Sequence, residues 1–249
     1  MKNPMRNLIL LPLAALLALP PVATAQSGSF IISQHGKPVG TASFNFTATP
    51  DGYDSTALVR ISMQGLEYAL SKTESLSPAN HLRHVGLSAI VNGSAVNVTA
   101  APDPAQILLK ISASGHATTT SLTPHAAAVF LPDFDPGALE TLLAIAVARN
   151  SRDLWVIIPK KAGTIEPVQL ATYVDEQGTL DGKPIVVHHM VATIAGAATD
   201  LFAGPENQLL QAELPQKGFA LVRNGFVLTP PAKPGAPPTP PAQPAPPAQ

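Results

Sequence analysis

The chain has 249 residues, a formal net charge of −1, 12% charged and 5% aromatic side chains, and no cysteine. With no basic run, nucleic acid and anionic membrane surfaces are excluded as expected partners. Without cysteine there are no disulfides, zinc-thiolate sites or thiol nucleophiles, and no acylated cysteine of the lipoprotein kind.

Met1–Ala25 has the layout of a secretory signal. Lys2 and Arg6 supply the charged start, Leu8–Pro20 is the apolar stretch, and Ala23-Thr24-Ala25 is the small-residue cleavage site. The apolar run has 13 residues, short of the roughly 20 needed to span a bilayer. The expected mature chain therefore begins near Gln26, in the periplasm or outside the cell, with no membrane span. Losing Lys2 and Arg6 reduces 15 Lys and Arg to 13 against 16 Asp and Glu, a net charge near −3.

Residues 27–228 read as a β-rich domain. Thr41–Thr49 alternates strictly, with Ala42, Phe44, Phe46 and Ala48 on one face and polar residues on the other, as a half-buried antiparallel strand does. Similar runs follow at Ala57–Met63, Leu66–Leu76, Leu82–Val91, Ala95–Ala100, Ile107–Ile111 and Ala117–Leu122. Turn signals at Asp51-Gly52, Gln64-Gly65, Asn92-Gly93 and Ser114-Gly115 separate them. After Asn150 the pattern resumes with Asp153–Ile158, Val168–Val174, Ile185–Ile194, Leu201–Ala203, Leu209–Leu214 and Phe219–Val222. Gln177-Gly178 and Asp181-Gly182 read as turns. Ile185–Ile194 is apolar on both faces, so a fully covered central strand is expected. His35-Gly36-Lys37-Pro38 and Asp181-Gly182-Lys183-Pro184 are alike and are read as two similar hairpins.

One stretch breaks the period. Asp135–Asn150 predicts the single substantial helix, spanning about 136–149. Asp135 suits the N-cap and Pro136 the first turn. Leu139, Leu142, Leu143, Ala146 and Val147 share one face. Glu140, Thr141, Ala144, Ala148 and Arg149 lie opposite, with Ile145 beside them. The expected fold is mainly β: a curved antiparallel sheet, half-barrel or barrel, with this helix packed on it. Residues 229–249, ten of them proline, predict an extended Pro/Ala-rich tail.

No motif names a reaction. There is no Gly-x-Ser-x-Gly elbow and no phosphate-cradling glycine loop. His81 and His84 fall at an odd spacing in a strand, as do the neighbours His188 and His189, so each pair diverges and no shared metal is expected. His189 is expected as a partnered core histidine. Asp133-x-Asp135 lacks the further oxygen donors of a calcium loop, and capping accounts for Asp135. No cofactor, metal or catalytic residue is expected. The expected ligand-binding residues are Phe130, Phe134, Leu139, Leu142 and Leu143, holding an apolar small molecule or lipid between helix and sheet. The alternatives are a structural or accessory module with a protein partner, and a hydrolase with a convergent site built on His81, His84 or His125 beside a serine.

Short motifs add a resemblance. Phe30–Ile32, Gly36 and Val39-Gly40 open the domain; Asp200-Leu201-Phe202, Glu206-Asn207, Leu209–Pro215 and Val222-Arg223 close it. This order resembles a group of uncharacterised bacterial periplasmic β-rich domains, some of which stand amino-terminal to secreted α/β-hydrolases. Ala203 stands where a bulky residue is frequent in that group. The expected architecture is also similar to the half-barrel of periplasmic lipoprotein carriers. The resemblance implies an exported β-rich domain and carries over no catalytic residue.

Overall fold

The computed structural model describes residues 26–160 and 163–230. The expected signal segment and nearly all of the expected tail lie outside the described residues.

The eight strands β1 (Ser27–Gln34), β2 (Lys37–Thr49), β3 (Gly52–Met63), β4 (Leu66–Leu76), β5 (Leu82–Val91), β6 (Ser94–Pro102), β7 (Ile107–Ala113) and β8 (His116–Leu122) form an antiparallel meander. Then come β9 (Ala128–Phe130), the helix α1 (Pro136–Ala148), β10 (Leu154–Ile158), β11 (Thr164–Thr172), β12 (Glu176–Leu180) and β13 (Lys183–Ile194). The chain continues through β14 (Ala197–Ala203), β15 (Leu209–Leu214), a 3₁₀ turn, β16 (Phe219–Arg223) and β17 (Phe226–Leu228). β1 pairs with β2 on one side and β16 on the other, so both halves join into one large curved sheet. The sheet does not close on itself. Among the described residues β8 pairs with β7 alone, β9 with β10 alone and β17 with β12 alone, which makes these three strands its edges.

The turns follow local chemistry. His35 and Gly36 have φ of 48° and 76°, and Asp181 and Gly182 have 50° and 75°. Both two-residue loops thus have the positive dihedrals of type I′ hairpins, as their matching sequences suggest.

Among the described residues every strand pairing is antiparallel except one. Trp155 to Ile157 on β10 run parallel to Ala128 to Phe130 on β9. A parallel pair needs a crossover, and α1 is that crossover. Asp135 caps it, accepting from the Gly137 N–H at 2.9 Å and the Ala138 N–H at 3.2 Å. The helix ends at Arg149, with Asn150 and Ser151 both at positive φ.

The expected division of the helix into an inner and an outer face is overturned. From Pro136 to Leu143 every residue is buried, Glu140 and Thr141 included, whereas Val147 is 55% exposed. The reason is topological. The crossover lies inside the curved sheet, touching β1, β2 and β3 on one side and β9, β10 and β15 on the other. Its first two turns therefore have no solvent face, and only its last turn emerges.

Two other expectations change. Gln177-Gly178 belongs to β12, not to a turn. Gly178 is buried in that strand because Phe226 lies over it, where an added Cβ would stand 2.9 Å from the ring. β13 is paired along both edges, by β11 and β12 end to end on one and β14 on the other, but it is only partly covered. Val187 and Ala192 alone are buried there, and Val186 is exposed. The consecutive apolar residues of β14 and β15 divide between two cores. Leu201 and Leu209 face the main one. Phe202 and Leu210 face a small one on the opposite side, closed by Val187 and Phe226.

Candidate functional site

The segment entering α1, Leu131-Pro132-Asp133-Phe134-Asp135, separates two apolar clefts. Phe134 sits at φ 58°, a left-handed backbone uncommon for a bulky residue and one that marks a position held by its surroundings. Its ring meets Phe219 edge-on at 4.9 Å and Tyr68 at 6.3 Å. On the Tyr68 side lies a cleft of about 320 Å³, floored by Leu66, Leu87, Ala89 and Val98 from β4, β5 and β6. Beyond Phe134 lies a second, of about 180 Å³, between Leu139 of the helix and Ile194, Leu214 and Leu221 of the sheet. Pro132, Asp133, Phe134 and Lys160 line both.

Strand alternation makes the larger floor apolar. Leu87, Ala89 and Val98 all turn to the inner face of β5 and β6. At the rim, Lys160 Nζ stands 2.5 Å from Asp133 Oδ2, with both side chains partly exposed. Burial raises the Tyr68 phenol above its ordinary range, and the nearby Asp133 and Asp135 carboxylates raise it further, so it remains a protonated donor.

Phe134 and Leu139 thus stand at the clefts. Phe130, Leu142 and Leu143 are fully packed in the main core, with exposures of 0–1%. Sequence reasoning missed Tyr68, Phe219, Asp133 and Lys160. Tyr68 sits on the apolar face of its strand with Leu66 and Leu70, which was the available signal. Nothing in the sequence brought Phe219 or Lys160 to the same place, since they belong to separate strands and loops.

A third, more polar cleft of about 260 Å³ opens beside Glu140, lined by Gln26, Phe46, Tyr53 and Asn80 among others. Glu140 Oε2 accepts the Leu209 N–H at 2.7 Å, and Oε1 accepts from the Gln26 side chain. Burial pushes this carboxyl up to about 7, although the Leu209 N–H, Arg223 and Gln26 favour its charged form.

The histidines stay apart. His188 meets Asp175 at 2.9 Å. His189 lies between Asp200 and Glu176 and stacks on Tyr173 and Phe202, the partnered arrangement expected of it. His125 stacks on Trp155 with ring centres 3.6 Å apart. Ser77 Oγ accepts from the backbone N–H of His81. Among the described residues no three His, Asp or Glu gather as a metal site, and no helix is long and apolar enough to cross a membrane.

Comparison with protein-family models, curated proteins and solved structures finds no significant match to the chain.

Proposed function

We propose that the protein is an exported, non-enzymatic binding protein for an apolar, chain-shaped ligand such as a lipid acyl chain, acting in the periplasm or outside the cell. The observation that carries this reading is the pair of clefts on either side of Phe134. Together they fall in the size range of small-molecule sites, about 300–1,000 Å³, and their walls are aliphatic and aromatic. A rotation of the Phe134 side chain, which lines both, would join them into one channel along the inner face of the sheet. Lys160 and Asp133 mark its mouth. The half-barrel outline and the signal-like start of the chain support the same reading.

Native mass spectrometry of the gently purified protein tests it. Co-purifying lipid, or a gain in melting temperature with fatty acids or phospholipids, is the expected result. Ala89→Phe should fill the larger cleft and weaken binding at least tenfold. A clean ligand-free mass, together with no stabilisation by any lipid class, would sink the proposal.

A second reading rests on β8. It is mostly exposed and is an open edge of the sheet, so a partner strand could add to it. It makes the protein an interaction module, and it predicts a protein partner lost when Thr119→Pro removes an edge donor.

A further inference from the structure

Three ionisable side chains meet in the core with no access to solvent. Lys72 and Glu74 lie two residues apart on one face of β4, and Asp135 caps α1. Lys72 Nζ is 2.8 Å from Glu74 Oε2 and 2.6 Å from Asp135 Oδ2, and the side chains are 0–1% exposed. A lysine and two carboxylates give an uncompensated charge unless one acid holds a proton. Burial raises Glu74 above the ordinary carboxyl range, and Asp135 raises it further, against the lowering effect of Lys72. Glu74 is thus the acid, and the cluster is neutral overall.

The contacts are not those of a simple salt bridge. Asp135 Oδ1 is held by two backbone N–H groups at the helix N-terminus, Gly137 and Ala138. Asp135 Oδ2 faces Nζ at 2.6 Å, a contact closer than the one Nζ makes with Glu74. Glu74 Oε2 accepts from Nζ, while Oε1 has no partner. An amine in close contact with a buried carboxyl group, two fixed donors on the oxygen that would carry negative charge, and an adjacent carboxylic acid are the parts of an acyl-transfer site.

We propose that Lys72 and Asp135 join spontaneously in an intramolecular amide bond, with Glu74 as the catalytic acid and base. Nζ passes one proton to Asp135 Oδ2, giving a neutral amine and a neutral acid. The Nζ lone pair attacks Cγ, and the charge that develops on Oδ1 is met by the Gly137 and Ala138 N–H groups. Glu74 accepts a proton from nitrogen on Oε2 and delivers its own from Oε1 to the departing Oδ2 hydroxyl. The C–Oδ2 bond breaks, one water leaves, and Glu74 ends as it began, a carboxylic acid. No oxidant or other reactant is needed. Oδ1 keeps its place, so the cap on α1 survives as an amide carbonyl. Full burial of the cluster removes the water that would reverse the step. The product ties a central strand of the meander to the crossover helix, in a chain with no cysteine to form a disulfide.

Mass spectrometry of the full chain decides it, with the termini fixed by peptide mapping. The expected result is a mass lighter by one water, and a branched tryptic peptide linking the segments that carry Lys72 and Asp135. Asp135→Asn should still react but expel ammonia in place of water. Glu74→Gln should fold, by circular dichroism, and keep its full sequence mass. A wild-type chain of full sequence mass with no branched peptide, after prolonged incubation of the folded protein, overturns the proposal and leaves an ion cluster only. Should Glu74→Gln fail to fold, the wild-type mass and the ammonia loss of Asp135→Asn still decide.

Discussion

Asp133 and Asp135 are two residues apart, and each has a lysine at almost the same distance. Asp133 lies 2.5 Å from Lys160, and Asp135 lies 2.6 Å from Lys72. The first pair has side chains 36–48% exposed; the second has none. Distance is therefore matched, and solvent is what differs. The exposed pair exchanges protein contacts for hydration at little net gain. The buried one holds charges that have no other source of compensation, so losing one partner strands the rest. Glu140, about one turn into the helix, is the third case: a buried carboxyl with hydrogen bonds, and with Arg223 near but not in an ion pair, whose burial pushes it up to about 7.

The largest effect should come from Lys72→Met. It keeps the side-chain length but leaves Glu74 and Asp135 without a cation, and should destabilise by about 3–5 kcal/mol in urea unfolding at neutral pH. An amide in place of the ion pair raises that cost, since the strand-to-helix tie is lost too. A cost below about 1 kcal/mol would mean that burial is not what separates the two aspartates.

Glu140 gives the next effect, with a sign set by linkage. Its folded pKa of about 7 lies above the ordinary 4.5. Between these values the folded chain binds more protons than the unfolded chain. Its contribution to stability is thus complete below pH 4.5, falls as pH rises to 7, and is flat above. The total is on the order of 3 kcal/mol. Glu140→Gln keeps an acceptor for the Leu209 N–H and removes the titration. Melting curves from pH 4 to pH 8 should show the wild type losing stability relative to this variant through that window. Parallel curves would show that Glu140 titrates normally.

Gly137 tests the packing that brings Asp135 and Lys72 together. A Cβ there would stand 2.9 Å from Phe44 Cβ, so the helix start can approach β2 only without one. Gly137→Ala should cost about 1–3 kcal/mol by overpacking, read from chemical denaturation, although alanine is the better helix former. A stabilised variant would show that the helix start is loosely packed.

Much of the fold was legible because the strands alternate and glycine turns separate them. Leu82–Val91 is read at its observed limits, and Thr41–Thr49 at its observed end but four residues short of its observed start at Lys37. The capping role of Asp135 was also legible, since it rests on local residues alone. What was not legible depends on chain crossing. The parallel pairing of β9 with β10 puts α1 inside the sheet, and only that enclosure buries Glu140 and Thr141. A helical wheel assigns them to solvent because it knows nothing of a second wall. The triad was hidden for the same reason. Lys72 and Glu74 look like ordinary polar positions of a strand until Asp135, 61 residues beyond Glu74, is laid across them.

The smallest effect closes the comparison at its exposed end. Lys160→Ala removes a contact as short as that of Lys72 with Asp135, yet should change stability by less than about 1 kcal/mol. Salt sharpens the point, since screening acts on charges that water reaches and much less on those it does not. Raising ionic strength should erase whatever Lys160→Ala costs and leave the cost of Lys72→Met nearly unchanged. Lys160 also lines both clefts, so its loss should weaken the binding of an anionic fatty acid more than that of an uncharged ester of equal chain length, measured by titration. Equal weakening of both would make Lys160 an apolar wall of the channel and not a charge at its mouth.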